Sequence, residues 1–199
     1  GVRTERVAVD RVVNAAGLRA DEVSRACGAG DFRLVARKGE EYILERGAAG
    51  CPTHVVFPVP ARSSKGVLVI PTVEGTTMIG PTAEEVDDKD DVATTPENLD
   101  RILELAGRMV PSVARRDIIT SFAGLRPVLP GDDFLISPAA TAPGFIQVAG
   151  IQSPGLTASP AIGEYVKDLL KQDGLELTEK VRTCGIGRPE RLREHAPHE

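Results

Sequence analysis

Residues 144–170, GFIQVAGIQSPGLTASPAIGEYVKDLL, leave the chain few ways to fold, because they read as a strand that runs through a loop into a helix. The strand, Phe145 to Ala149, is short and apolar, carries the β-branched Ile146 and Val148, and is bounded by Pro143-Gly144 and Gly150, which suits a buried position. Ser153-Pro154-Gly155 breaks it. Thr157 or Ser159 can cap a helix, and Pro160 then falls in the first turn, where a missing N–H costs no hydrogen bond. Ala158, Ala161, Ile162, Tyr165, Val166, Leu169 and Leu170 recur at helical spacing and predict one apolar face, so the helix packs on a sheet. Gly150 and Gly155 let backbone approach a ligand, while free N–H groups and the helix dipole favour negative charge at that end. The loop is a candidate site for an anion, or for a ring that becomes anionic.

The rest of the chain supplies two kinds of sheet. Arg6 to Ala15 turns apolar toward its end and predicts a strand that becomes buried, closed by Gly17. A short helix follows from Arg19 or Ala20, with Val23 and Ala26 inward, and stops at Gly28-Ala-Gly30. Next come short strand candidates: Leu34 to Arg37 and Tyr42 to Leu44, joined near Lys38-Gly39-Glu40, then His54 to Val59, Gly66 to Ile70 and Thr76 to Ile79. Their spacing and their Gly, Pro and Ser turns predict an antiparallel meander. Thr95, Pro96 and the stripe Leu99, Ile102, Leu103, Ala106, Met109 or Val110 predict a capped amphipathic helix ending at Pro111, which covers a sheet face. Asp117 to Leu129 alternates as a strand interrupted by Gly124, where a planar ligand can come close. Residues 84–91, EEVDDKDD, lack the order of a calcium loop and read as a solvated acidic loop. The fold class is α+β, or mixed α/β.

Composition removes several function classes. A net charge of −5 and no basic run argue against nucleic acid. No apolar stretch is long enough to span a bilayer. Cys27, Cys51 and Cys184 form no C-x-x-C pair, so no metal site is expected. No Ser-His-Asp arrangement suggests a hydrolase.

The run AGIQSPGLTASPAIGEYV at 149–166, VVNAAGLRADEV at 12–23 and TSFAGLRPVLPGDDFLIS at 120–137 together resemble, in order, three segments of the FAD-dependent oxidoreductases of the D-amino acid oxidase superfamily. The intervening RKGEEYIL, HVVFPVP, GVLVIPTVEG and MIGPTAEEVDDKDD are most similar to its glycerol-3-phosphate dehydrogenase side, in the branch shared with L-2-hydroxyglutarate dehydrogenase. The resemblance implies an antiparallel substrate-domain sheet covered by helices, plus the C-terminal strand, loop and helix of a Rossmann-like FAD domain. It divides the chain into 1–30, the end of the FAD-binding domain; 31–135, the substrate domain; 136–175, the C-terminal strand and helix of the FAD domain; and 176–199, a charged tail. Because no G-x-G-x-x-G turn is present, it implies a C-terminal fragment, inactive alone, whose missing N-terminal half holds the ADP moiety of FAD.

The resemblance also implies roles. Asn14, Ala15, Gly17, Gly124, Gly150, Ile151, Ser153, Gly155, Leu156 and Thr157 contact FAD. Arg126 holds the anionic end of a small-molecule substrate, where a guanidinium fork suits a carboxylate or phosphate. Arg62 and Lys65 either meet a phosphate or mark an exposed hairpin tip. His54 is a candidate catalytic base, or serves as a structural or surface histidine. An iron-sulfur module or a quinone-linked acceptor would take the electrons, and the expected setting is cytoplasmic or peripheral at the inner membrane face. Three functions stay open: oxidation of glycerol 3-phosphate to dihydroxyacetone phosphate; oxidation of L-2-hydroxyglutarate or another 2-hydroxy or amino acid; and a non-catalytic binding or assembly domain. A concave site joining Arg126 to the 150–157 loop would separate the first two from the third.

Overall fold

The computed structural model describes residues 5–48, 50–59 and 66–178. Two sheets organise them. The first has three strands, β1 (Val12–Asn14), β7 (Leu135–Pro138) and β8 (Phe145–Ala149), with β8 in the middle, parallel to β1 and antiparallel to β7. All five residues of β8 are buried. Its alternation aims Ile146 and Val148 at helix α3 (Gly155–Gln172), where they meet Leu169, Ile162 and Val166. Gln147 and Ala149 point the other way, toward helix α1 (Ala20–Ala26), where Ala149 packs with Ala20 and Leu34.

The second sheet is antiparallel and is built on one long strand, β2 (Val35–Leu44). Along one edge β2 pairs first with β5 (Glu84–Val86) and then with β4 (Thr77–Gly80), which in turn carries β3 (Leu68–Pro71). Along the other edge it pairs with β6 (Ile118–Val128) over its whole length. Ala36, Lys38, Glu40, Tyr42 and Leu44 are buried on the face covered by helix α2 (Pro96–Met109), whose Ile102 and Ala106 join Tyr42, Leu44, Val69 and Ile79 in the largest core. The mixed α/β class and the antiparallel sheet under a helix are as the sequence predicts.

Helix α2 starts as expected: Pro96 is its first residue and Thr95 Oγ1 accepts a hydrogen bond from Asn98 N. Other details differ, for identifiable reasons. Lys38-Gly39-Glu40 is no turn but the buried middle of β2, since the charges find partners: Lys38 donates to Asp91 at 2.8 Å, and Glu40 accepts from the start of α2. Residues 84–91 are only partly a solvated loop, because 84–86 form β5 and Lys89 reaches the buried Asp21 at 2.6 Å. Residues 54–59 form no strand beyond a bridge between Val56 and Val69. The first strand shrinks to three residues, with Val7 and Val9 exposed and only Asn14 buried. In α1 the inward residues are Ala20, Asp21 and Ser24 rather than Val23 and Ala26.

Helix α3 opens at Gly155, so Pro160 lies inside it rather than in its first turn. Proline cannot donate to the Leu156 carbonyl one turn back. The Ser159 hydroxyl does so instead, at 2.8 Å.

Candidate functional site

Arg126 sits near the C-terminal end of β6, half-buried, opposite Arg37 of β2. Cross-strand partners share a face, so Arg37, Gly39 and Glu41 stand beside Arg126, Gly124 and Phe122 on the side of the sheet away from α2. Phe122 is exposed there, and a side chain at Gly124 would meet nothing within 4 Å. Arg126 Nη2 donates to the Thr82 carbonyl at 2.9 Å and Nε to the Arg37 carbonyl at 3.4 Å. Among the described residues it has no carboxylate within ion-pair distance. Burial and the neighbouring Arg37 charge both pull its pKa below the ordinary arginine value, while Glu41 opposes them. A partly desolvated cation with no carboxylate in ion-pair distance among the described residues is prepared for an external anion.

A cleft of about 560 Å³ joins Leu125, Arg126 and Pro127 to the loop and helix start Ile151, Gln152, Ser153, Pro154, Gly155, Leu156 and Thr157. Arg126 and Ser153 thus line one concavity, the arrangement that distinguishes a site from an assembly module. No side chain caps α3, and Leu156 stands 91% exposed at its first turn. The loop is held from outside the cleft: Asp132 Oδ1 accepts from Gln152 Nε2 at 3.2 Å and from Arg37 Nη1 at 3.0 Å, tying the loop to β2.

The other expected residues divide into two groups. Asn14 is buried and donates to Gln147 Oε1 and the Ala20 carbonyl, both at 2.8 Å, which ties β1 to β8 and α1. Ala15 and Gly17 lie exposed in the turn after it, and the one-turn 3-10 helix Gly17–Arg19 packs against β6. Because β1 and β8 are parallel, this turn and the 150–157 loop leave the same end of the sheet, where ligands of such sheets bind. Gly150 is buried behind the cleft: it has φ +69°, and a Cβ there would come 2.6 Å from Leu129 Cδ1, so the glycine answers to packing and conformation. Gly155 likewise abuts Ile151, whose Cγ2 would be 2.5 Å from its Cβ.

The structure does not bring His54 to this cleft. It is exposed and, among the described residues, pairs with the neighbouring Thr53 hydroxyl at 3.0 Å, in a segment bridged to β3. That edge is separated from β6 by β4 and β2, three strand spacings of about 4.8 Å. Arg62 and Lys65 lie outside the described residues. The residues the sequence did not single out are Gly39, Thr82, Asp132 and Gln152. Gln152 alone had a signal, its place inside the loop; the others act through partners far away in the chain. Among the described residues no group of three His, Cys, Asp or Glu side chains is arranged to hold a metal ion.

Residues 1–169 match the family model described as DAO, FAD dependent oxidoreductase. A glycerol 3-phosphate dehydrogenase of Caloramator mitchellensis is 43% identical over 169 residues, covering 85% of this chain and 35% of the relative. The structure of dithionite-reduced L-α-glycerophosphate oxidase from Mycoplasma pneumoniae with FAD bound superposes with a TM-score of 0.79 at 33% identity, over 86% of this chain and 44% of that one. The glycerol-3-phosphate dehydrogenase of Bacillus halodurans complexed with FAD does so with a TM-score of 0.65 at 28% identity, over 81% of this chain and 32% of that one. The chain therefore spans less than half the length of these relatives. With the family model matched along most of its length, the chain belongs to the FAD dependent oxidoreductases of the DAO family.

Proposed function

We propose that this chain contributes the substrate-holding part of an enzyme that oxidises glycerol 3-phosphate to dihydroxyacetone phosphate. The observation that carries the reading is Arg126: a half-buried guanidinium, without a carboxylate partner among the described residues, on the rim of a cleft whose other wall is an uncapped helix start. Its fork suits a phosphate or carboxylate and would leave the rest of a small substrate directed along the cleft toward the 151–157 loop. The 43% identity to a glycerol 3-phosphate dehydrogenase favours the phosphate.

The rim also fits the family's flavin. The start of α3 presents backbone N–H groups and the positive end of a dipole, Leu156 presents an exposed apolar surface, and Gly124, two residues before Arg126 on the same face of β6, leaves bare strand beside the cleft. Ile151, Ser153, Gly155, Leu156 and Thr157 would hold the ring, with Asn14, Ala15 and Gly17 at the same end of the parallel strands. When bound, the flavin supplies an acceptor for hydride, and its electrons would pass on to a quinone or an iron-sulfur partner. This chain's own tasks are to bind the anion through Arg126, to orient the carbinol C–H, and to stabilise negative charge near Thr157. The remainder of a longer protein would complete the cofactor site. Among the described residues no helix is long and apolar enough to cross a membrane.

The test is anaerobic addition of glycerol 3-phosphate, and separately of L-2-hydroxyglutarate, to the flavin-loaded protein. Bleaching of the visible flavin band by glycerol 3-phosphate alone is the expected result. Bleaching by L-2-hydroxyglutarate alone would transfer the assignment to a 2-hydroxy acid. No bleaching by either would remove both substrates.

A further inference from the structure

Arg126 is not free to choose where it points. Its Nη2 lies against Gly39, and a Cβ built there would stand 3.0 Å from Nη2, 3.0 Å from Pro81 Cβ and 3.1 Å from the Thr82 carbonyl oxygen. Gly39 has no left-handed φ, so its backbone would accept any residue; what demands glycine is the space beneath the guanidinium. Thr82, whose carbonyl takes the Nη2 proton, is itself clamped. Its N–H donates to the Glu40 carbonyl at 3.2 Å, and its Oγ1 accepts from Glu40 N at 3.0 Å. Both bonds go to the residue next to Gly39. Oxygen acceptors thus hold Nε and Nη2, while Nη1 has no protein acceptor among the described residues.

We propose that Gly39 and Thr82 are positioning residues that form a seat for Arg126, fixing its guanidinium so that the Nη1 side is presented to the anion. This rests on the reading of Arg126 as the anion holder. The seat uses neutral carbonyls, so it orients the cation without neutralising it, which a carboxylate partner would do. A methyl at Gly39 crowds all three neighbours at 3.0–3.1 Å, and the guanidinium, at the end of a flexible side chain, yields more easily than the proline ring carbon or the backbone oxygen. A shift of a few tenths of an ångström or more misaligns bidentate contacts to a phosphate.

The experiment compares the parent protein with Gly39→Ala, Thr82→Val and Thr82→Ser in two measurements: calorimetric titration with inorganic phosphate, and turnover of glycerol 3-phosphate. Gly39→Ala and Thr82→Val are expected to weaken phosphate binding roughly ten- to a hundredfold, the scale of a lost charge-assisted hydrogen bond, and to raise KM alike while kcat changes far less. Thr82→Ser keeps the hydroxyl and is expected to restore parental binding. If the parent binds phosphate but turns over no glycerol 3-phosphate, and the variants still weaken binding, the seat stands and the substrate assignment falls. Equal phosphate affinity in all four proteins, or none in the parent, overturns the seat whatever turnover does. Should Gly39→Ala fail to fold, the contrast between Thr82→Val and Thr82→Ser decides alone.

Discussion

Glu40 lies in the middle of β2 with 0% exposure, and four donors converge on its carboxylate: Tyr42 Oη, Thr95 N, Thr95 Oγ1 and Asn98 Nδ2. Burial pushes its carboxyl up, but donors from Asn98, Thr95 and Tyr42 outweigh burial and hold it below the ordinary value. Tyr42 bears the converse effect: burial and the adjacent charge push its hydroxyl up to about 12. Since the folded carboxyl is the more acidic one, its stabilising effect is complete above the unfolded value near 4.5 and is lost as pH falls through the folded value. Glu40→Gln turns an amide toward N–H donors, and we expect it to destabilise by about 2–4 kcal/mol at neutral pH. Chemical denaturation from pH 7 down to pH values below the ordinary carboxyl range checks this; a mutant difference that does not shrink in acid would show that the carboxylate is not the cause. The residue scale is also where sequence reading reached least far. Arg126 announced itself through A-G-L-R-P, but Gly39 looked like turn punctuation, because the atoms that require it belong to residues 81, 82 and 126.

At the scale of elements, the helices were largely legible and the strands less so. Helix α2 encodes its own start and its own buried stripe, since capping and 3.6-residue periodicity are local properties. Strand β2 does not: a Lys-Gly-Glu centre is buried only because α2, Asp91 and the 81–82 segment arrive to satisfy it. The strand-loop-helix unit is legible in order, and tertiary packing adds a demand for glycine at 150 and 155 that the sequence does not show. Gly150→Ala must adopt φ +69° and push into Leu129, whose Cδ1 leaves 2.6 Å, so we expect a loss of about 2–3 kcal/mol from the left-handed backbone and overpacking together. A fall in Tm is the readout, and an unchanged Tm would mean that the loop between β8 and α3 repacks freely.

At the scale of the whole molecule, the two sheets are tied by polar contacts between segments far apart in the chain. Asp21 of α1, buried, accepts from Leu34 N at 3.0 Å and from Lys89 Nζ at 2.6 and 2.8 Å, which pins the segment after β5 to the first sheet's helix. Burial raises the Asp21 carboxyl, and the Lys89 and Leu34 bonds prevail and bring it below its ordinary value. Lys89→Ala strands that carboxylate and is expected to cost about 3 kcal/mol, whereas the Asp21→Asn, Lys89→Ala double mutant should cost less than the sum of its single mutants. Additive single and double mutants, measured by urea denaturation, would sever this link. What the sequence alone determined is what local physics determines: the capped helix α2, the strand-loop-helix at 145–172, the antiparallel character of the second sheet, and the motifs that mark the family. Tertiary structure decided which glycines make room for a guanidinium, which charges are buried in pairs, and that Arg126 and the start of α3 share a cleft while His54 stands at the far sheet edge. Those outcomes depend on strand order and register between segments far apart in the chain, and pairing at such separation leaves no trace in the periodicity of either partner.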